Sequence, residues 1–174
     1  MLKARVVRVG VNEKTNTPVL ILIVDEVSGI LPISIGKREA KAIVLALQKV
    51  ELSRPISYDL MKSILDELEI SLEQIRITAL KSGTYYAELD LTSGEQKLII
   101  DSRPSDAIAL ALRMNAPIYI EESVVKEAVV PHNCIEMDER PQEESVDFDR
   151  EREDFRRFLE TVRPEDFGSP EELE

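Results

Sequence analysis

The sequence is short of the residues that most metal and cofactor sites use. Its 174 residues include no tryptophan, one cysteine (Cys134) and one histidine (His132). A single cysteine excludes an intramolecular disulfide. Cys134 and His132 together cannot supply the four ligands of a structural zinc site. A haem, a zinc hydrolase or a histidine-activated nucleophile would each depend on His132. Two such residues near a domain boundary are more often incidental than a site.

Long hydrophobic runs are also missing. The longest uninterrupted apolar segments, such as residues 19–24 and 107–112, are six residues long, against about 20 for a membrane-spanning helix. The first residues alternate basic and apolar side chains, which is not the pattern of a signal peptide. We therefore expect a cytoplasmic protein with no membrane partner.

Acidic residues outnumber basic ones, but not evenly along the chain. Residues 1–130 carry 16 basic and 18 acidic residues, and residues 131–174 carry 6 and 16. The nearly neutral body leaves room for a local basic patch that binds nucleic acid. We expect a domain over 1–130, an acidic linker over 131–147, and an amphipathic helix with a frayed tail over 148–174. Either the acidic end is simply a solvated segment, or it mimics nucleic acid and thereby limits access to a basic site.

An internal repeat predicts the fold. Residues 25–47 align without a gap to residues 90–112, with 10 of 23 positions identical. Each copy combines strand patterns with an apolar helix, which indicates a duplicated β-β-β-α unit. Units this small share one core, so we predict an α+β fold with a continuous, rolled or barrel-like mixed sheet.

Two segments join arginine, proline and an acidic residue at a predicted helix start. The first runs from Arg54 to Asp59 and the second from Asp101 to Asp106. The simplest interpretation is helix capping by proline, serine and a first-turn carboxylate. A helix N-terminus also attracts anions, so capping and ligand binding are compatible.

The repeat is asymmetric at these helix starts. Arg38 and Arg103 occupy equivalent positions, whereas the carboxylates of Asp101 and Asp106 occur only in the second copy. Such asymmetry favours one specialised site, with both arginines as candidates for substrate binding.

Paired carboxylates and arginines suit phosphodiester chemistry. Asp59, Asp101 and Asp106 could act as bases or hold Mg²⁺ or Mn²⁺ through hard oxygen ligands. Arg54 and Arg103 could bind a phosphate through paired N–H donors. The alternative is that the same arginines and aspartates form structural ion pairs.

Three motifs resemble the bifunctional nuclease family: residues 31–36 (LPISIG), 54–60 (RPISYDL) and 101–111 (DSRPSDAIALA). The resemblance covers residues 1–130, and residues 158–167 are similar to bacterial members. It implies an α+β roll, self-association with a dimer favoured, and hydrolysis of DNA and RNA as in characterised plant members. By motif, the family's candidate site residues here are Arg54, Asp59, Asp101, Arg103 and Asp106.

The chain departs from this family at one position of the site. Members commonly have Thr-His before the first aspartate, where this chain has Ser57 and Tyr58. A phenol, with a pKa of about 10, cannot replace an imidazole as a base near neutral pH. Two functions therefore stay open: a metal-assisted nuclease acting on DNA or RNA, and a non-catalytic regulatory or binding module.

Overall fold

The computed structural model describes residues 1–12 and 14–131, which form four helices and one seven-stranded sheet. The predicted α+β class with a mixed sheet is confirmed. The predicted helix over 148–174, His132, Cys134 and all but the first residue of the predicted linker lie outside the described residues. The elements in chain order are β1 (Leu2–Asn12), β2 (Thr17–Val24), β3 (Ile30–Ser34), α1 (Lys37–Leu47), α2 (Ser57–Glu67), β4 (Ile70–Lys81), β5 (Thr84–Ser93), β6 (Gln96–Ser102), α3 (Pro104–Met114), β7 (Ile118–Ile120) and α4 (Glu122–Ala128).

The sheet has the strand order β3-β2-β1-β7-β4-β5-β6. Two antiparallel meanders, β1 to β3 and β4 to β6, flank the short strand β7. This central strand pairs antiparallel with β1 and parallel with β4. Each meander is followed by a helix, so the order β-β-β-α occurs twice, while the duplication itself stays a prediction.

A hydrogen bond between distant strands shows that the sheet is curved. The hydroxyl of Tyr85 in β5 donates to the carbonyl of Pro32 in β3, at 3.3 Å. In a flat sheet these strands would lie five spacings apart, about 24 Å at about 4.8 Å per spacing. One tyrosine side chain cannot cross that gap, so the sheet rolls until its two halves approach.

Helix α3 occupies the centre of the core. Its side chains from Ala107 to Ala111 are buried almost completely, and it contacts α1, α2, β4 and β5. The alternation of alanine with larger residues lets several elements approach it closely. Its N-terminus thereby lies near polar and charged side chains of α1 and α2, as described below. None of the helices in the described residues is long and apolar enough to cross a membrane.

The chain after α4 returns to the edge strand β3. Val130 and Ile30 exchange two backbone hydrogen bonds, at 2.8 and 2.9 Å. Gly29 permits this approach, because a Cβ atom there would lie 2.8 Å from the Val130 carbonyl oxygen. Pro32, in the middle of β3, has no N–H to offer a further strand.

Candidate functional site

Helices α2 and α3 begin in the same way, each with an aspartate as its third residue. Helix α2 follows an extended Ile56, whose N–H donates to Oδ2 of Asp59 at 3.0 Å. Helix α3 follows an extended Arg103 and has Pro104 at its first position, where no N–H is needed. The predicted capping is therefore found in part: Asp59 caps α2 in place of Ser57, and α3 has the predicted Pro104 and first-turn Asp106 but no capping hydrogen bond from a serine.

Polar and charged side chains of three helices meet at the start of α3. The hydroxyl of Tyr58 in α2 donates to Oδ1 of Asp106 at 2.5 Å. The Nε of Arg103 donates to Oδ2 of the same carboxylate at 2.7 Å, and an Nη atom lies 3.1 Å from Oδ1. That Nη atom also lies 2.8 Å from Oε1 of Glu39 in α1. Asp106 thus connects a neutral donor with a cation that is itself shared between two carboxylates.

A second ion pair joins the other aspartate to the far end of α3. Nε of Arg113 donates to Oδ1 of Asp59 at 2.6 Å, and an Nη atom donates to the Ala109 carbonyl at 2.8 Å. The Arg113 side chain is only 9% exposed, and its guanidinium carbon lies 5.5 Å from the centre of the Tyr58 ring. We call the six connected side chains the helix-junction network: Glu39, Tyr58, Asp59, Arg103, Asp106 and Arg113.

The network keeps Tyr58 protonated. Partial burial, the hydrogen bond to Asp106 and the negative charges of Asp106 and Glu39 all raise the pKa of its phenol above the usual 10.0. The Arg103 charge opposes this shift but does not cancel it. Tyr58 is therefore a hydrogen-bond donor at neutral pH and cannot act as a general base there.

Two residues of the network, Asp59 and Arg103, have pKa values shifted in favour of their charged forms. Partial burial acts to raise the pKa of Asp59, but the hydrogen bonds from Arg113 and Ile56 and the Arg113 charge outweigh it, so that pKa lies below 3.8. Hydrogen bonds and charge from Asp106, then from Glu39, raise the pKa of Arg103 further above its ordinary value. Each of these two charges is held by partners of opposite sign, Asp59 by Arg113, and Arg103 by Asp106 and Glu39.

The remaining predicted site residues lie on the surface. Arg38 is exposed in the first turn of α1, and Arg54 is exposed in the loop before α2. Asp101 is exposed near the end of the edge strand β6, opposite Glu88 of β5. Among the described residues, none forms a hydrogen bond or ion pair with Asp101. The contacts given above join Asp106 to Arg103 and leave Asp101, Arg38 and Arg54 outside the network.

The arrangement does not fit a preformed metal centre. Within residues 1–12 and 14–131, no three histidine, cysteine, aspartate or glutamate side chains are close enough to hold one ion. Asp59 and Asp106 have suitable oxygen atoms for Mg²⁺ or Mn²⁺, but each already binds a guanidinium. No catalytic step is therefore assigned to a metal.

Sequence reasoning missed Glu39 and Arg113 and treated Tyr58 only as a departure from a family motif. Arg113 did give a signal, because it is the one charged residue in the apolar run from 107 to 114. A charge that enters a core requires a partner. Which carboxylate would be that partner, 54 positions away, is a property of the tertiary structure.

A second charged cluster, on β4 and β5, was not predicted either. Nε and Nη2 of Arg76 donate to the two carboxylate oxygens of Asp90 at 2.9 and 2.7 Å, and Nη2 also lies 2.7 Å from Glu88. Gln74 donates to Asp90 at 2.6 Å. The hydrogen bonds from Arg76 lower the pKa of Asp90 more than partial burial raises it. Each charge in this cluster is satisfied locally, as expected of a structural cross-strand group.

Known proteins are similar to this chain over most of its length. An uncharacterized protein of Mycobacterium tuberculosis is 39% identical over 170 residues, which cover 96% of this chain and 98% of that protein. Bifunctional nuclease 2 of Oryza sativa subsp. japonica is 30% identical over 119 residues, which cover 66% of this chain and 37% of that protein. Bifunctional nuclease 1 of Arabidopsis thaliana is 28% identical over 109 residues, which cover 60% and 34%.

The similarity extends over both helix starts that carry the network. The bifunctional nuclease domain matches residues 20–133, a range that begins within β2 and extends past the end of α4. It includes Asp59 and Asp106 with their arginine partners. By this match, which spans well over half of its residues, the chain belongs to the bifunctional nuclease domain family.

Proposed function

We propose that this protein hydrolyses phosphodiester bonds in DNA, RNA or both. The observation that carries the proposal is the family match over residues 20–133, which contains all six candidate site residues. The plant relatives named bifunctional nuclease support it. They share a domain with this chain, but the matched residues cover only 37% and 34% of their length, so their activity is transferred here as a proposal.

Exposed arginines are assigned to phosphate binding. Arg103 is 67% exposed although Asp106 and Glu39 hold it in place. A guanidinium has five N–H donors, so several stay available for phosphate oxygens after these bonds are made. Arg38 and Arg54, both exposed near helix starts, are assigned the same role.

The catalytic carboxylates are proposed to be Asp59, Asp101 and Asp106. Hydrolysis requires a group that takes a proton from water as its oxygen attacks phosphorus. Asp101 is the most accessible of the three, because it is exposed and unpaired among the described residues. Asp106 orients Arg103, and Asp59 orients Arg113. Dependence on Mg²⁺ or Mn²⁺ stays a prediction, since the described carboxylates do not form a three-ligand cluster.

Cleavage of labelled single-stranded RNA and DNA tests this proposal. The purified protein is incubated with each substrate in Mg²⁺, in Mn²⁺ and in EDTA. We expect cleavage by the wild type and its loss in Asp101→Asn and Asp106→Asn. Asp66→Asn is the matched control, because Asp66 lies on α2 and its partner among the described residues is Lys62, on the surface. Equal cleavage by all four proteins would indicate a contaminant or a wrongly placed site.

A non-catalytic regulatory or binding module is the second candidate. The helix-junction network favours it, because ion pairs that join three helices are what structural arginines and aspartates form. In that case Asp106→Asn lowers the free energy of unfolding by more than about 2 kcal/mol, and the wild type cleaves nothing. A catalytic Asp106 instead leaves the melting temperature nearly unchanged while activity is lost.

Four further predictions from the sequence accompany this proposal. They are a cytoplasmic location, self-association with a dimer favoured, an origin of the two β-β-β-α units by duplication, and a role of the acidic end in limiting access to the site. The 10 identities in 23 aligned positions support the duplication. The observed order of three strands and a helix in each half agrees with it.

A further inference from the structure

Glu39 is a largely buried carboxylate in the first turn of α1. Its side chain is only 16% exposed, although glutamate side chains mostly stay in water. Oε1 of Glu39 lies 2.8 Å from Nη2 of Arg103, at the start of α3. This ion pair joins two helices, whereas the pair of Arg103 with Asp106 lies within one helix start. The effect of Glu39 on the site is therefore exerted through Arg103.

The two carboxylates divide the donors of Arg103 between them. Asp106 accepts from Nε at 2.7 Å and from Nη2 at 3.1 Å, along one side of the guanidinium. Glu39 accepts from the same Nη2, which has a second N–H to offer. The donors that these contacts leave are the two N–H groups of Nη1, on a side chain that is 67% exposed. The guanidinium is thus held from two directions while one terminal nitrogen stays available to an anion.

Gly36 provides the space in which the Glu39 carboxylate lies. A Cβ atom at this position would overlap Oε2 of Glu39 and lie 3.1 Å from its Cδ. The backbone of Gly36, with φ −74° and ψ 158°, is one that any residue can adopt. The glycine is therefore required for room beside Glu39 and not for its conformational freedom, which gives the last residue of the motif 31–36 a physical role.

We propose that Glu39, lying against Gly36, is a positioning residue that directs Nη1 of Arg103 toward a phosphate group of the substrate. A free arginine side chain loses much rotamer freedom when it binds, and a guanidinium already fixed by Glu39 and Asp106 loses less. Glu39 does not itself bind the phosphate. This role rests on the proposed binding of phosphate by Arg103, but not on hydrolysis.

The sign of the effect separates positioning from simple electrostatics. Loss of a negative charge ordinarily tightens the binding of a polyanion, whereas loss of a positioning carboxylate weakens it. Binding of labelled single-stranded RNA to the full chain is measured by fluorescence anisotropy at low salt in EDTA. We expect Glu39→Ala to raise the Kd about fivefold, and Glu39→Gln, which keeps an acceptor oxygen for Nη2, to stay near the wild-type value.

Glu67→Ala is the matched control for the loss of charge. Glu67 is an exposed glutamate of α2, so its removal should leave the Kd unchanged or lower it. A Kd for Glu39→Ala at or below that of the wild type would overturn the proposal.

Two further comparisons test whether Glu39 acts through Arg103. Arg103→Ala should raise the Kd about tenfold, and Glu39→Ala added to it should cause no further loss. Gly36→Ala removes no charge but displaces the Glu39 carboxylate, so it should weaken binding as Glu39→Ala does. Gly10→Ala is its control, since a Cβ atom at Gly10 would meet nothing within 4 Å. Additive losses in the double variant, or equal Kd values for the two glycine variants, would show that Glu39 does not position Arg103.

Cleavage assays on the same proteins separate this role from the proposed function. A wild type that binds RNA but cleaves neither RNA nor DNA in Mg²⁺ or Mn²⁺ would reject hydrolysis, and the Kd values would still decide the role of Glu39. A wild type that does not bind RNA, or whose binding is unaffected by Arg103→Ala, would overturn the positioning role whether or not it cleaves. Cooperative thermal unfolding of every variant shows that each is folded.

Discussion

At the scale of single residues, the Tyr58 hydroxyl holds one position of the helix-junction network. Its hydrogen bond to Asp106 is partly buried, so its loss should lower the stability of the folded protein. We predict that Tyr58→Phe lowers the free energy of unfolding by about 1 kcal/mol, measured by urea denaturation. Tyr86→Phe is the control, because no described residue bonds to that hydroxyl, and it should have no measurable effect. If both changes lower the free energy of unfolding equally, the Tyr58 hydroxyl does not stabilise the network.

The pairing of Asp59 with Arg113 makes a pH-dependent contribution to stability. The pKa of Asp59 is lowered in the folded protein, so the folded state binds a proton at this site less readily than the unfolded chain does. Its contribution is complete above the ordinary carboxyl pKa of 3.8 and is lost as the pH falls through the lower folded value. Unfolding curves between about pH 3 and about pH 7 should show less acid destabilisation in Asp59→Asn than in the wild type. A difference between the two proteins that is constant across this range would contradict the prediction.

At the scale of elements, the alanines of α3 are completely buried. Ala109 is fully buried between neighbouring elements. We predict that Ala109→Leu costs about 1–3 kcal/mol through overpacking, seen as a lower melting temperature. Ala46→Leu in α1 is the matched change at a half-buried position and should be tolerated. If both changes have the same small effect on the melting temperature, the core around α3 has room for a larger side chain.

The elements themselves could be predicted from the sequence, but their partners could not. Period-two and helical patterns indicated the strands of both meanders and the helices α1 to α3. The place of β7 between β1 and β4 is not encoded by any local pattern, because a three-residue strand carries no signal for its neighbours. The same holds for the candidate site: its contacts between sequence neighbours could be predicted, and its contacts between distant residues could not. The pair Arg103 and Asp106 is local, three positions apart, whereas Tyr58 meets Asp106 across 48 positions.

At the scale of the whole molecule, the excess of acidic residues in the last part of the chain opposes nucleic-acid binding. Residues 131–174 hold 6 basic and 16 acidic residues, and the rest of the chain is nearly neutral. We predict that removing residues 138–174 tightens binding of labelled single-stranded RNA at low salt, measured by fluorescence anisotropy. Binding by both forms should weaken steeply as salt rises, because arginine contacts to phosphate release counterions. Unchanged affinity after truncation would end the proposed role of the acidic end.

The return of the chain to β3 shields one edge of the sheet. Val130 pairs with the Ile30 end of that edge, and Pro32 has no N–H to offer from its middle. An uncovered strand edge is a template on which another chain can pair and aggregate. The close approach of Val130 to Gly29 therefore protects the β3 edge of the sheet against such pairing.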